Sequence, residues 1–376
     1  MASSYERFFD IPIGPQHPAL KEPAMLKLTV EGEHVVGVKL DVSYNHRGIE
    51  KAIEGRTYIQ NLYLIERICG ICNAAHTLNY VLAVEAVFGK EAPERAKFLR
   101  IINEELARIH SHLLWMGVAG HEIGFETFFM YIWLDREISL DLTESLTGNR
   151  ITTSYNIIGG VRRDIQPELD AKIRKGMDKL EERMNYYKKL VLGDRSIIAR
   201  TQGVGIITPS EVTSFSAVGP TARASGVKVD VRADDPYSGH DLVPFNVITY
   251  DGCDSYARIL VRLDEVLESI HIIRYCLDHL PSGPISQPMP RRVPAGDFLS
   301  RVEAPRGELI HFLRADGSDK PYRYKVRTPT ISNLTALVNM FSSKGGRIIN
   351  IADVPVILAS IDPCFSCTAR VERVIR

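Results

Sequence analysis

Apolar residues recur at intervals of one to four over 92–115, where Ala96, Phe98, Leu99, Ile102, Leu106, Ile109 and Leu113 make a stripe and Glu and Arg fill the opposite positions. That period predicts an amphipathic helix, opened by a proline near its first turn. The same reasoning predicts helices over 166–192 and 256–280, the second with Leu260, Leu263, Val266, Leu267, Ile270 and Ile273 on one face. Shorter helical segments, broken near Gly55, follow from Ile53, Tyr58, Leu62 and Ile65. Antiparallel packing buries long stripes of this kind in a bundle, and a metal or cofactor site can be assembled at its end.

Strand patterns flank this helical middle. Residues 12–42 alternate short apolar runs around the turn EGEH, which predicts a hairpin or small antiparallel sheet. Just before it, Gly14-Pro15-Gln16-His17-Pro18 is a rigid loop in which His17 is expected to bond nearby backbone. Towards the C-terminus GELIHFLRAD and KPYRYKVRT flank the turn 316–319 as a second hairpin. A helix is expected over 332–341, capped by Ser332 or Asn333, and the apolar run 354–361 reads as a strand. The expected fold is α+β but mainly α: a long-helix bundle with small peripheral antiparallel sheets. One domain spans 1–376, with a β-rich segment at 1–45, a helical core at 46–290, and a hairpin and C-terminal ligand segment at 291–376.

The 46 basic and 46 acidic residues cancel to a net charge of +0 and are mixed along the chain, which gives no electrostatic grip on nucleic acid. The N-terminus lacks the basic and apolar regions of a secretory signal, and no uncharged apolar window reaches membrane-spanning length. A soluble chain, with room for a membrane-attached partner, is expected. No glycine pattern makes a strand–GxGxxG–helix unit.

Four of the six cysteines pair at CxxC spacing: Cys69 with Cys72, and Cys364 with Cys367. Thiolates select zinc, copper(I), iron–sulfur clusters or nickel-type centres over hard cations. Zinc modules usually place their pairs about 15–20 residues apart; here about 290 residues intervene. A catalytic or redox metal, a structural zinc and a thiol–disulfide pair all remain open on spacing alone. Arg67 is placed to offset thiolate charge, and His76, if a helix starts at the motif, to bond a sulfur from outside the ligand set. Glu50 is either a surface carboxylate at a helix start or a buried proton carrier. Cys253, Cys276, His110 and His112 read as structural, the two histidines because a spacing of two turns them to different helix sides.

Arg67-Ile68-Cys69-Gly70-Ile71-Cys72 through His76, an RxCGxCxxxH motif, and Asp362-Pro363-Cys364-Phe365-Ser366-Cys367, a DPCxxC motif, resemble the large, catalytic subunit of nickel–iron hydrogenases. GPQHP at 14–18, RGIEK at 47–51, IGGVRRDI at 158–165 and GPTARASG at 219–226 are most similar to the membrane-bound, energy-converting group, homologous to the quinone-site subunit of complex I. The resemblance spans essentially the whole chain.

It implies the hydrogenase large-subunit fold and a centre in which all four thiolates hold nickel. Cys72 and Cys367 would bridge to an iron carrying carbon monoxide and cyanide, with Cys69 and Cys364 terminal. It further implies that Glu50 passes protons to and from a terminal cysteine, and that Arg306 overhangs the open side and bonds a cyanide. The implied reaction is reversible reduction of protons to hydrogen. Electrons would pass through a small subunit with a 4Fe-4S cluster, ferredoxin being the donor, and integral membrane subunits would pump ions from a complex on the cytoplasmic face of the cell membrane. Where many soluble members continue the second motif to a metal-binding His, this chain has Thr368-Ala369-Arg370. The competing expectations are a complex I-like subunit reducing quinone or sulfur, a branch that typically loses thiols, and a zinc-stapled assembly protein.

Overall fold

The computed structural model describes residues 8–368. Strands β1 (Phe9–Ile13), β2 (Met25–Glu31) and β3 (His34–Asp41) form an antiparallel sheet in that order. In β2 alternate residues Leu26, Leu28 and Val30 are buried, the period of a half-covered strand. Between β1 and β2, His17 Nδ1 accepts from the backbone N–H of Ala19 at 3.2 Å, the local role expected of it.

Helices α1 (Ile49–Glu54) and α2 (Tyr58–Ile65) are separated at Gly55, and a Thr57–Gln60 capping box opens the second. Helix α3 (Asn73–Phe88) starts directly behind Cys72. Then come α4 (Glu94–Glu122), α5 (Glu126–Thr147), α6 (Pro167–Gly193) and, after several short helical turns, α7 (Ser255–Asp278). An antiparallel sheet follows, ordered β4 (Gly296–Ala304), β5 (Gly307–Ala315) and β6 (Pro321–Arg327), and then α8 (Pro329–Met340) and α9 (Val354–Ser360).

Three hydrophobic cores result. The largest lies among α4, α5, α6 and α7, where Leu99, Ile102, Leu106, Leu142, Met177, Leu180, Leu263 and Ile270 pack. A second joins the inner face of the first sheet to α8, α9 and Phe365. The third packs α1, α2 and α3 on the second sheet. Each of the last two joins residues from opposite ends of the chain, and the CxxC segments lie along them.

Three expectations need correction. The Glu and Arg side chains in the middle of α4 do not face water: Arg100, Glu104, Glu105 and Arg108 are all buried. Three of them are tolerated because they are paired, Arg100 with Glu85 at 2.6 Å and Glu105 with Arg108 at 3.1 Å and Arg232 at 2.9 Å, while Glu104 accepts from the Tyr237 hydroxyl at 3.0 Å and has its pKa raised by burial to about 8. Residues 354–360 are helical, with Pro355 in the first turn; so short an apolar run, buried on several sides, has no readable period. Helix α8 starts three residues before Ser332, at Pro329, and Asn333 is inside it, its Oδ1 accepting from Val218 N. Strand β4 and helix α5 were not foreseen.

Candidate metal centre

Helix α3 sets the first pair: Cys72 occupies its N-terminal cap position, and the Cys72 N–H donates to Cys69 Sγ at 3.3 Å. The second pair follows α9, where Asp362 takes a left-handed turn (φ 55°) and a single helical turn over Phe365–Thr368 returns Cys367 N to Cys364 O. Thr330 Oγ1 accepts from Cys364 N, and Thr328 Oγ1 donates to Cys367 O, both at 3.1 Å. One side chain stitches the two segments together. The Arg47 guanidinium donates to the carbonyls of Arg67 (2.6 Å) and Ile68 (2.7 Å) in the first and of Ser366 (3.1 Å) in the second.

The stitch brings the sulfurs into one cluster. Cys364 Sγ is 3.6 Å from Cys69 and 3.0 Å from Cys367, and the three lie within 4.8 Å of one another. Cys72 is buried in the same cluster. Four thiolates around one tetrahedral ion would be about 3.8 Å apart, given a metal–sulfur bond of about 2.3 Å, so the donor set and its spacing fit a soft metal. Hydrogen bonds from the Cys364, Cys367 and Cys72 thiols hold Cys69 well below the usual thiol range, while the bond to Cys69 and burial push Cys72 well above it. Thiolate charge in this cluster is buried with it.

Arg306 is the cation that meets this charge. Its Nη1 donates to Cys72 Sγ at 3.0 Å, while Nε and Nη2 bind the backbone and carboxylate of Asp362 at 2.7 and 2.8 Å. Burial opposes its charge, but Asp362 and the thiolates outweigh burial and raise its pKa. Its backbone rests on Gly219, where a Cβ would come within 2.4 Å of the Arg306 carbonyl; the GPTARASG stretch needs a glycine there.

The other expected residues divide. Arg67, on the turn before Cys69, has a side chain that is 55 % exposed and donates to Tyr63 O at 2.6 Å. His76 is buried on α3, its Nδ1 3.2 Å from His311 Nε2. Glu50, at the start of α1, accepts from Lys325 Nζ and Val326 N, both at 3.0 Å. It opens on a cavity of about 380 Å³ that it shares with Cys367. The carboxylate that touches a thiol is another one. Glu22 Oε1 lies 4.0 Å from Cys364 Sγ and also accepts from the Ser366 hydroxyl, and Oε2 accepts from Ser366 N at 3.0 Å. Cys364 and Glu22 both border a cavity of about 340 Å³, lined also by Leu20, Ile71, Trp115, Trp133 and Phe365 and reaching Arg306.

Residues 47–117 match the family described as nickel-dependent hydrogenase, and 122–292 with 289–370 match the 49 kDa subunit of respiratory-chain NADH dehydrogenase. The chain belongs to this joint hydrogenase and 49 kDa-subunit family. Within it, the chain is 38 % identical to the carbon monoxide-induced hydrogenase of Rhodospirillum rubrum over 96 % of its own length and 99 % of that protein's. It is 39 % identical to a subunit of the F420H2 dehydrogenase of Methanosarcina mazei, over 96 % of each. Among solved structures it superimposes on a chain of the membrane-bound sulfane sulfur reductase, an archaeal respiratory membrane complex, with a TM-score of 0.91 and 31 % identity, covering 97 % of this chain and 99 % of that one. Such family members are subunits of membrane complexes. No described helix here is long and apolar enough to cross a membrane.

Proposed function

We propose that the chain is the catalytic subunit of an energy-converting nickel–iron hydrogenase, interconverting two protons and two electrons with one hydrogen molecule. The observation that carries this reading is the retention of all four thiols, three within 4.8 Å of one another, with Arg306 against the fourth. Cys69, Cys72, Cys364 and Cys367 would hold the nickel, two of them shared with an iron carrying carbon monoxide and cyanide. When bound, that centre supplies the redox chemistry and a Lewis-acidic site for hydrogen.

The chain's own residues do the rest. Arg306 offsets thiolate charge inside a buried site, where a neutral side chain would leave it uncompensated. Glu22 is in reach of Cys364 sulfur and takes or returns a proton there, passing it by way of Ser366. Glu50 and its cavity offer a second way out past Cys367. Electrons arrive from ferredoxin through a 4Fe-4S cluster in a small partner subunit, and membrane subunits on the cytoplasmic face use the energy to move ions.

A second reading, a subunit that reduces quinone or sulfur compounds, is favoured by the apolar cavity at Cys364, which is far larger than hydrogen requires. Metal analysis and infrared spectra of the purified complex separate the two. Near-stoichiometric nickel with bands of iron-bound carbon monoxide and cyanide is expected, and Cys364→Ser should lose nickel and hydrogen evolution together. A complex free of nickel, or full turnover in that variant, would sink the proposal.

A further inference from the structure

Helix α4 runs between two cavities. Lys97 and Arg100, near its start, line one of about 790 Å³ together with Tyr237 and Ser238, and Trp115, towards its end, lines the cavity at Cys364. Between them Glu104, Arg108 and Ser111 recur at intervals of four and three, which sets them on one face with Trp115. All three are buried, and Glu104 Oε2, Arg108 Nη1 and Ser111 Oγ have no hydrogen-bond partner among the described residues. His112 Nδ1, beside them, is likewise unpartnered. The row continues at either end. Ser238 Oγ is unpartnered at the first cavity; at the second, Asp362 Oδ2 is, and so are Nε and Nη2 of Arg262, whose guanidinium lies 4.1 Å from the Trp115 ring centre.

A buried polar atom without a partner is destabilising, and internal water satisfies such atoms where two or more of them face one gap. The spacing suits water. Residues three or four apart on a helix are separated by about 4.5–6 Å of rise, a distance that one water spans when it bonds at about 2.8 Å on each side. Glu104 is also able to exchange a proton with such waters. The Tyr237 hydroxyl donates to its Oε1 at 3.0 Å, and no cation hydrogen-bonds it among the described residues. Burial raises its carboxyl to about 8, with Arg108 and Arg232 opposing the rise and Glu105 adding to it, so it gains and loses a proton near neutrality.

We propose that a file of water molecules lies along this face of α4 and carries protons from the cavity at Tyr237 to the cavity at Cys364, with Glu104 as the side chain that takes them up. One proton enters Glu104 from solvent for each one that leaves the file beside Asp362, and no electron moves. The use of the file rests on the hydrogenase reading. Each hydrogen molecule formed takes two protons; Glu22 serves Cys364, and the file opens on the same cavity beside Asp362 and Arg306.

A map of the purified complex at water-resolving resolution tests the file whatever metal is bound. Ordered waters are expected within hydrogen-bond distance of Glu104 Oε2, Arg108 Nη1 and Ser111 Oγ, and a dry face would overturn the proposal. Infrared spectroscopy tests its contact with solvent. The band of the protonated Glu104 carboxyl, assigned as the one lost in Glu104→Gln, should shift as soon as the complex enters deuterated water; a band that stays in place would show a sealed carboxyl and no file. Delivery to the centre is read from hydrogen evolution. Glu104→Gln should slow it by about 10-fold with nickel content and iron-bound carbon monoxide bands unchanged. Ser111→Val, which removes the polar group in the middle of the file and leaves Glu104 in place, should slow it as well. Native rates in both variants would overturn delivery. A native complex without nickel would instead overturn the proposed function, leaving the waters and the carboxyl band to decide the file.

Discussion

Glu22 and Glu50 show how much of a site a single residue's neighbours decide. Both stand in short polar stretches, and only folding puts Glu22 against Cys364 while Glu50 is engaged by Lys325 and Val326. Glu22→Gln keeps the shape and one of the two bonds from Ser366 but cannot carry a proton. It should slow exchange between hydrogen and deuterated water by about 10²–10⁴-fold with nickel still bound. Glu50→Gln should slow it less; native exchange in Glu22→Gln with loss in Glu50→Gln would return the relay to Glu50. The cysteines were legible in the sequence because CxxC spacing is local. Glu22 was not, since no spacing rule links it to a thiol 342 positions away. Arg67 makes a related point: adjacency along the chain is not adjacency in space, and the guanidinium bonded to a cysteine sulfur is that of Arg306.

At the scale of elements, periodicity told most where the apolar stripe was longest. Helices α4, α6 and α7 lie where the pattern places them, whereas α9, seven residues long, was read as strand. The inward face of α4 was legible, but its buried ion pairs were not, because their partners come from other segments such as Glu85 and Arg232. The packing of α4 against α5 rests on two small residues. A Cβ on Gly117 would stand 2.3 Å from Trp133 Cδ1, and one on Gly120 2.7 Å from Phe128 Cδ1. Gly117→Ala should therefore destabilise the protein by about 1–3 kcal/mol through overpacking, seen as a lower thermal unfolding midpoint. Trp133 also lines the cavity at Cys364, so an unchanged midpoint would show that the indole swings aside, and the cavity with it.

For the molecule as a whole, the proposed metal ligands join ends of the chain that are otherwise remote: Cys69 and Cys364 are 295 positions apart. Binding at such a site is folding free energy, since the unfolded chain does not hold the four donors together. Cys364→Ser, or the complex matured without nickel, should unfold at a lower temperature than the loaded complex in calorimetry. Equal midpoints would mean that Arg47 and the three cores alone hold the ends. The family was legible at this scale because both CxxC motifs were intact. The joining of the two ends in shared cores was not, because periodicity reports which face of an element is buried and not what covers it.

Among the described residues the Arg47 guanidinium hydrogen-bonds main-chain carbonyls alone, those of residues 67, 68 and 366. Every amino acid supplies the same carbonyl. Sequence drift at position 67, whose side chain faces solvent, can thus alter the surface beside the cysteines while the span between the two ligand pairs stays constant, leaving that part of the rim free to adapt to a new partner without retuning the centre.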